Sequence, residues 1–355
     1  MNHKDNCFDV MRHFAALLVL FSHNFVVFGY AEPTFFNIQT LGGFAVIIFF
    51  SISGFLIAKS CIYSSSNVSY LKKRIYRLFP GLIFCSFLLT YFYCGIWGRQ
   101  EFLGWISSFE AFKTFIFYST TARNEWLILS EFFPSLEITS NFITNRFAYY
   151  PLLNGPLWSL LYEIFDYLLL LIVFSLFCNK LKVSIAIVIL CFLIQCLLFL
   201  FGAPENQVFQ NKFLNYFANE FLYKISLLSI PFFMGAIIYL KNDYVFSKKF
   251  FLILASILSL SISIINPKLI MFYSLGLPLL IIIFGLSFKD RFIKGRFDYS
   301  YGIYIYAWPI QQFFSNIYKV GFFESFFIVL IFTLIFASIS WHFVEKPFLN
   351  FSKKK

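Results

Sequence analysis

Arg12 and His23 stand eleven residues apart inside the first apolar run of the sequence. At about 100° per residue, eleven residues make three turns plus roughly 20°. In a helix both side chains therefore share one face, about 16 Å apart along the axis. An ionisable side chain inside a membrane span costs about 2.5–3.5 kcal/mol near the centre, and such residues mark functional sites by default. Asp9, one turn before Arg12, can neutralise it as an i,i+3 pair. His13 is turned about 100° away from Arg12 and is read as interfacial. A second acidic feature, Glu163, lies in a later apolar run, with Asp166 three residues on and on nearly the same face. A histidine oriented by a carboxylate is a general base able to activate a hydroxyl. Separate hydrogen bonds from His23 and Glu163 to backbone groups are the alternative.

The second basic feature is Lys72-Lys73-Arg74-Ile75-Tyr76-Arg77-Leu78-Phe79-Pro80. Arg74 and Arg77 are one turn apart, and two guanidiniums at that spacing can grip phosphates by forked hydrogen bonds. Ordinary cytoplasmic anchoring is the plainer reading of the same charges. The segment Phe50-Ser51-Ile52-Ser53-Gly54-Phe55 places small residues where helices can approach closely or where a ligand can pass the backbone, with Ser53 the candidate contact. In Tyr301 to Pro309 the proline is predicted to kink a helix. Tyr304, Trp308 and the amide of Gln311 are candidate contacts for a sugar, together with Asp166. Hydrogen bonds between helices are the alternative use of Gln311 and Gln312.

These residues need a membrane framework, and the composition supplies one. Of 355 residues 60% are hydrophobic and only 13% charged, against about 25% charged in soluble domains. The mean hydropathy is +0.77. The net charge of +11 would suggest nucleic acid in a soluble protein, but here the positive residues sit in short links between apolar runs. No zinc spacing, phosphate-binding glycine loop or dinucleotide fingerprint is present. The 55 phenylalanines are read as interchangeable lipid-facing residues, and the seven scattered cysteines as small apolar fillers.

Windows of about 20 apolar residues give ten candidate helices, at 8–28, 41–58, 78–98, 157–177, 183–201, 223–240, 250–265, 268–286, 299–318 and 323–343. The first resembles a secretory signal in length, but Asp9, Arg12 and His23 inside it argue for an uncleaved span. Asn266-Pro267 alone joins the seventh and eighth, which could form one re-entrant pair. One set of links carries Lys59, Lys72, Lys73, Arg74 and Arg77; Lys180 and Lys182; Lys241, Lys248 and Lys249; Lys289, Arg291, Lys294 and Arg296; the tail ends in three lysines. The other set is near neutral: Glu32; Glu205 and Glu220 against Lys212; Glu324 against Lys319. Both termini are predicted cytoplasmic. His23 then lies about 8 Å and Glu163 about 9 Å from the outer ends of their spans, at similar depth.

The longest link, about 99–155, is predicted on the outer side. Phe109, Phe112, Phe115 and Ile116 follow helical spacing, as in a helix lying in the interface. Trp126, Tyr149 and Tyr150 suit an aromatic belt. The link is read as an interfacial anchor or as a cover over an acceptor site. No second domain or repeat is evident, so residues 1–355 are taken as a single membrane domain.

The pieces occur in the order of a known family. The chain resembles the integral-membrane acyltransferase-3 family, whose members O-acetylate bacterial surface glycans. Asp9, Arg12 and His23 match its acidic residue and Arg-x10-His motif; Phe50 to Ile57 its FF-x-x-SGFLI segment; Arg74-Ile75-Tyr76-Arg77 its Arg-x-x-Arg motif. Leu157 to Glu163, Ser300 to Pro309 and Val344-Glu345-Lys346-Pro347-Phe348 match three more, the last being the closing E-K-P-F. Two departures stand out. Many members carry a histidine where Ala307 stands, and many continue into a soluble SGNH esterase-like domain, so this chain is read as a stand-alone form ending at Lys355.

The resemblance implies an all-α, polytopic enzyme of the bacterial inner membrane that takes acetyl-CoA as co-substrate, uses no metal and binds no nucleic acid. CoA would dock at Arg74, Arg77 and Arg12, beside Ser53, with its pantetheine arm reaching outward. His23, polarised by Glu163, would deprotonate a hydroxyl of a glycan or lipid-linked glycan; an acetyl-histidine relay is equally compatible. The rival reading is a transporter of a polysaccharide intermediate, which the absence of paired broken helices disfavours.

Overall fold

A computed structural model describes residues 6–98, 100–120, 153–202, 215 and 217–353 of the chain. Trp126, Tyr149, Tyr150, Glu205 and Lys212 lie outside the described residues. The fold is helical, as the apolar runs predict. Its helices are α1 (Phe8–Val27), α2 (Leu41–Ile62), α3 (Asn67–Trp97), α4 (Phe102–Ile106), α5 (Phe109–Thr120), α6 (Gly155–Leu176), α7 (Lys180–Leu200), α8 (Phe217–Leu240), α9 (Asn242–Ser247), α10 (Lys249–Ile265), α11 (Ile270–Ser287), α12 (Ser300–Asn316) and α13 (Phe322–Phe351). A two-stranded hairpin, Thr34–Phe35 with Gln39–Thr40, leads into α2. Thr40 caps that helix by accepting the Gly43 N–H at 3.1 Å.

Among the described residues eight helices are long and apolar enough to cross a membrane. The other two predicted spans form α10 and α12, each of 17 residues. Three helices outrun the apolar windows by a full turn and a half or more. The third begins at Asn67, so Arg74 and Arg77 are helical; the sixth predicted span begins at Phe217; the last continues to Phe351. Leu88–Tyr93, Phe217–Leu222 and Ser340–Glu345 are π-helical stretches inside α3, α8 and α13.

The chain divides into two compact units. The first comprises residues 1–15, 34–70 and 162–296. Its centre is the pair α2 and α8. A Cβ on Gly54 would overlap the Phe232 carbonyl, and one on Gly235 would overlap the Ser51 carbonyl, so only glycine lets these backbones meet. Helix α8 also packs on α7 and α11, and α10 pairs with α11. Ser259 Oγ donates to the Phe272 carbonyl at 2.6 Å across the α10–α11 pair. The start of the chain is tied to the end of α11 by Cys7 N–H to the Gly285 carbonyl, 2.9 Å.

The second unit comprises residues 16–33, 71–161 and 297–355. Its framework is α12 against α13, with Gly302 pressed to Ala337. Pro309 lies inside α12 and cannot bond the carbonyl of Ile305. That carbonyl instead accepts from Asn154 Nδ2 at 2.9 Å and from Cys85 Sγ at 3.4 Å. The predicted interfacial segment does form a helix: α5 exposes Phe109 and Phe112 and buries Phe117 and Tyr118.

Candidate functional site

In the second unit, α1 and α12 run side by side. Gln311 Nε2 donates to the Leu20 carbonyl at 2.6 Å, and one turn along α1 the His23 ring meets Trp308 edge to face, with centroids 5.1 Å apart. Trp308 is buried with Val26 and Val27. It has room because residue 155 is glycine: a Cβ there would stand 3.0 Å from the indole. Gln311 thus makes the helix-to-helix bond of the alternative reading, while its Oε1 has no partner among the described residues. Tyr304 is committed to the scaffold, since its hydroxyl donates to the Pro156 carbonyl at 2.5 Å and lies 2.7 Å from Ser159 Oγ.

Within this unit the carboxylate beside His23 is Glu32. Its Oε1 lies 4.0 Å from His23 Nε2 and accepts the Ser22 hydroxyl at 2.5 Å. His23 Nδ1 is buried and has no hydrogen-bond partner among the described residues. Sequence reasoning counted Glu32 only as a charge of an outer link. The available signal was that it is the one charged residue between Phe28 and Thr40.

The Arg-x-x-Arg segment lies in the same unit. Arg77 Nη2 is 2.6 Å from Asp298 Oδ2, and its Nη1 is 3.7 Å from Glu345 Oε2. Ser340 Oγ holds the other Glu345 oxygen at 2.9 Å, and Ser300 Oγ holds Asp298 Oδ1 at 2.5 Å. The closing E-K-P-F and the start of α12 thereby supply Arg77's counter-ions. Arg74, one turn earlier, is half-buried.

The first unit holds the other candidates. Asp9 and Arg12 form the expected i,i+3 pair at 2.6 Å. Glu163 is the hub of a small network: its Oε1 accepts from Ser53 Oγ at 2.9 Å and from the Tyr167 hydroxyl, and those two hydroxyls are 3.2 Å apart. Asp166 diverges from Glu163 despite their shared helix. It is fully buried, and Ser229 Oγ of α8 donates to its Oδ1 at 2.6 Å, while Oδ2 has no partner among the described residues. The i,i+3 offset of roughly 60° sends one carboxylate to α2 and the other to α8. His23 and Glu163 belong to different units. Among the described residues no group of three His, Cys, Asp or Glu gathers as a metal would require.

The chemistry available is therefore a half-buried imidazole whose Nδ1 has no hydrogen-bond partner among the described residues, a carboxylate network in each unit, and a turn of α3 carrying two guanidiniums. The family model matching this chain is that of an acyltransferase domain, the acyltransferase-3 model, over residues 5–342. The chain is 36% identical over 359 residues to an O-acetyl transferase of Shigella phage Sf6, covering 99% of this chain and 98% of that one. It is 42% identical over 83 residues to nodulation protein 10 of Rhizobium leguminosarum bv. viciae, 22% of each chain. No solved structure matches.

Proposed function

The chain belongs to the acyltransferase-3 family, and from that premise we propose that it O-acetylates a glycan of the bacterial cell envelope with acetyl-CoA as donor. The observation that carries this reading is the full-length similarity to the phage O-acetyl transferase. The acceptor class is an O-antigen, capsule or exopolysaccharide, free or lipid-linked. The protein is a multi-pass helical membrane acyltransferase; its place is the inner membrane with both termini in the cytoplasm, supported by the charge asymmetry of its links.

His23 is the proton acceptor. The sugar O–H proton passes to the ring, the oxygen attacks the thioester carbonyl, and the C–S bond breaks. The proton then leaves with the CoA thiolate as free thiol. The unengaged Nδ1 supports this role. Glu163 assists as the carboxylate of the fourth predicted span, and Ser53, which already bonds it, borders the donor. Arg74 and Arg12 meet the donor's phosphates. A phosphate at Arg77 shares that guanidinium with Asp298 and Glu345. Trp308 and Gln311 border the acceptor, Tyr304 braces the start of α6, and Asp166 is a further candidate acceptor contact.

Proton NMR of surface polysaccharide from the source bacterium tests the reading. Acetyl-ester signals should vanish on gene deletion, return with the wild-type gene and stay absent with His23→Ala expressed at normal level. Signals unchanged in all strains refute it.

A further inference from the structure

The end of α1 is built to bring an acid back along its own helix. Gly29 adopts a left-handed backbone, φ +76°. The Tyr30 N–H bonds the Phe25 carbonyl at 2.8 Å and the Gly29 N–H bonds the Val26 carbonyl at 3.0 Å. This is a Schellman turn, with glycine where a side chain would be strained. Tyr30 and Phe28 then pack on Phe322 of α13, ring centroids 4.9 and 5.7 Å apart. Pro33 restricts the residue before it to extended backbone. The chain has reversed by residue 32, and its carboxylate lands beside Ser22 and His23.

We propose that Glu32 is a positioning residue for the acyl transfer: it faces the Nε2 edge of His23 and leaves Nδ1 as the atom that takes the acceptor's proton. The proposal rests on the functional reading above. Three contacts support it. Ser22, fully buried, donates to Glu32 Oε1 at 2.5 Å and so fixes the carboxylate. Trp308 stands edge to face with the imidazole and limits its rotation. The opposite ring nitrogen is buried and has no partner among the described residues. A carboxylate beside Nε2 favours the tautomer with hydrogen on Nε2 and the lone pair on Nδ1. When Nδ1 takes the sugar hydroxyl's proton, the imidazolium becomes the partner of Glu32. The 4.0 Å separation then shortens into a charge-assisted bond. Delivery of that proton to the departing thiolate restores the neutral ring, so no other reactant is needed.

The test uses full-length protein in lipid, with labelled acetyl-CoA and polysaccharide purified from the deletion strain as the acceptor probe. Glu32→Gln should lower kcat by roughly 10²-fold with the KM for acetyl-CoA nearly unchanged, and Glu32→Asp should recover a large part of it. In a His23→Ala background Glu32→Gln should cost nothing further. If Glu32→Gln turns over at the wild-type rate while His23→Ala is inactive, the positioning role is overturned and the functional reading stands. If His23→Ala is fully active, both fall. A readout independent of turnover is 15N NMR of histidine-labelled protein, with His23 assigned by its absence in His23→Ala. Hydrogen on Nε2 in the wild type, shifting toward Nδ1 in Glu32→Gln, supports the proposal; hydrogen on Nδ1 in the wild type overturns it.

Discussion

Arg77 is 2.6 Å from Asp298, and behind that pair Glu345, nearly inaccessible to solvent, completes a three-charge cluster. On the proposed reading Arg77 holds this cluster together while Arg74 serves the donor, so the two guanidiniums have different tasks. Removing Arg77 strands two carboxylates, and breaking such a buried pair costs about 3–5 kcal/mol. Arg77→Ala should therefore lower the Tm of the detergent-solubilised protein markedly, and Asp298→Asn should lower it less. Arg74→Ala should raise the KM for acetyl-CoA. A KM unchanged in Arg74→Ala would remove that residue from the donor site.

The contact of α2 with α8 is set by two glycines. Adding one methyl at Gly54 or Gly235 drives it into a backbone carbonyl of the facing helix, where no side chain can turn aside. Overpacking of this kind costs about 1–3 kcal/mol. Gly54→Ala and Gly235→Ala should each lower Tm. Gly104→Ala should not, because nothing stands within 4 Å of its Cβ position. Thermal melts of the three variants measure this directly.

Pro309 and Asn154 form a linked pair. The proline orphans the Ile305 carbonyl; Asn154 Nδ2 satisfies it, with the weaker Cys85 thiol as a second donor. An unsatisfied buried acceptor costs about 1–3 kcal/mol. Asn154→Leu leaves only the thiol and should destabilise the wild type by about 1 kcal/mol, the lower end of that range. In a Pro309→Ala background, where residue 309 regains an N–H for that carbonyl, the same change should cost less. Tm values for the four proteins of the cycle decide the matter; strict additivity would show that the two residues act independently.

Much of this was legible from local signals. A membrane span must be about 20 apolar residues long, so the positions of the ten main helices could be read as run lengths. The Asp9–Arg12 pair follows from an i,i+3 spacing within one helix. What stayed hidden depends on the chain's return. Arg77's partners lie in segments far along the sequence, and no periodicity links Asp298 or Glu345 to α3. Glu32 escaped notice because it lies beyond the helix it serves. Only the left-handed turn at Gly29 brings it back to His23. Residue type alone leaves Tyr304 and Gln311 open to a sugar or to a bond between helices; which carbonyl each one pairs with, Pro156 and Leu20, is set by the packing. Helix boundaries were missed where polar turns continue an apolar helix, as at Asn67 to Arg77.

Glu163 supplies the last prediction. Its Oε1 already accepts from Ser53 and Tyr167, which holds the carboxylate in one orientation. The proposed role of this residue in the transfer is then one that requires its carboxylate. Glu163→Gln should reduce acetyl transfer strongly, while Tyr167→Phe, which removes one donor and keeps the charge, should reduce it only a few-fold. Residual transfer rates for His23→Ala, Glu163→Gln and the double variant complete a cycle. If the two residues act on the same step, the double variant should be little worse than the weaker single variant. Losses that multiply would show that Glu163 serves another step. A loss of donor affinity in Glu163→Gln, read as a raised KM for acetyl-CoA, would then assign it to the donor path beside Ser53.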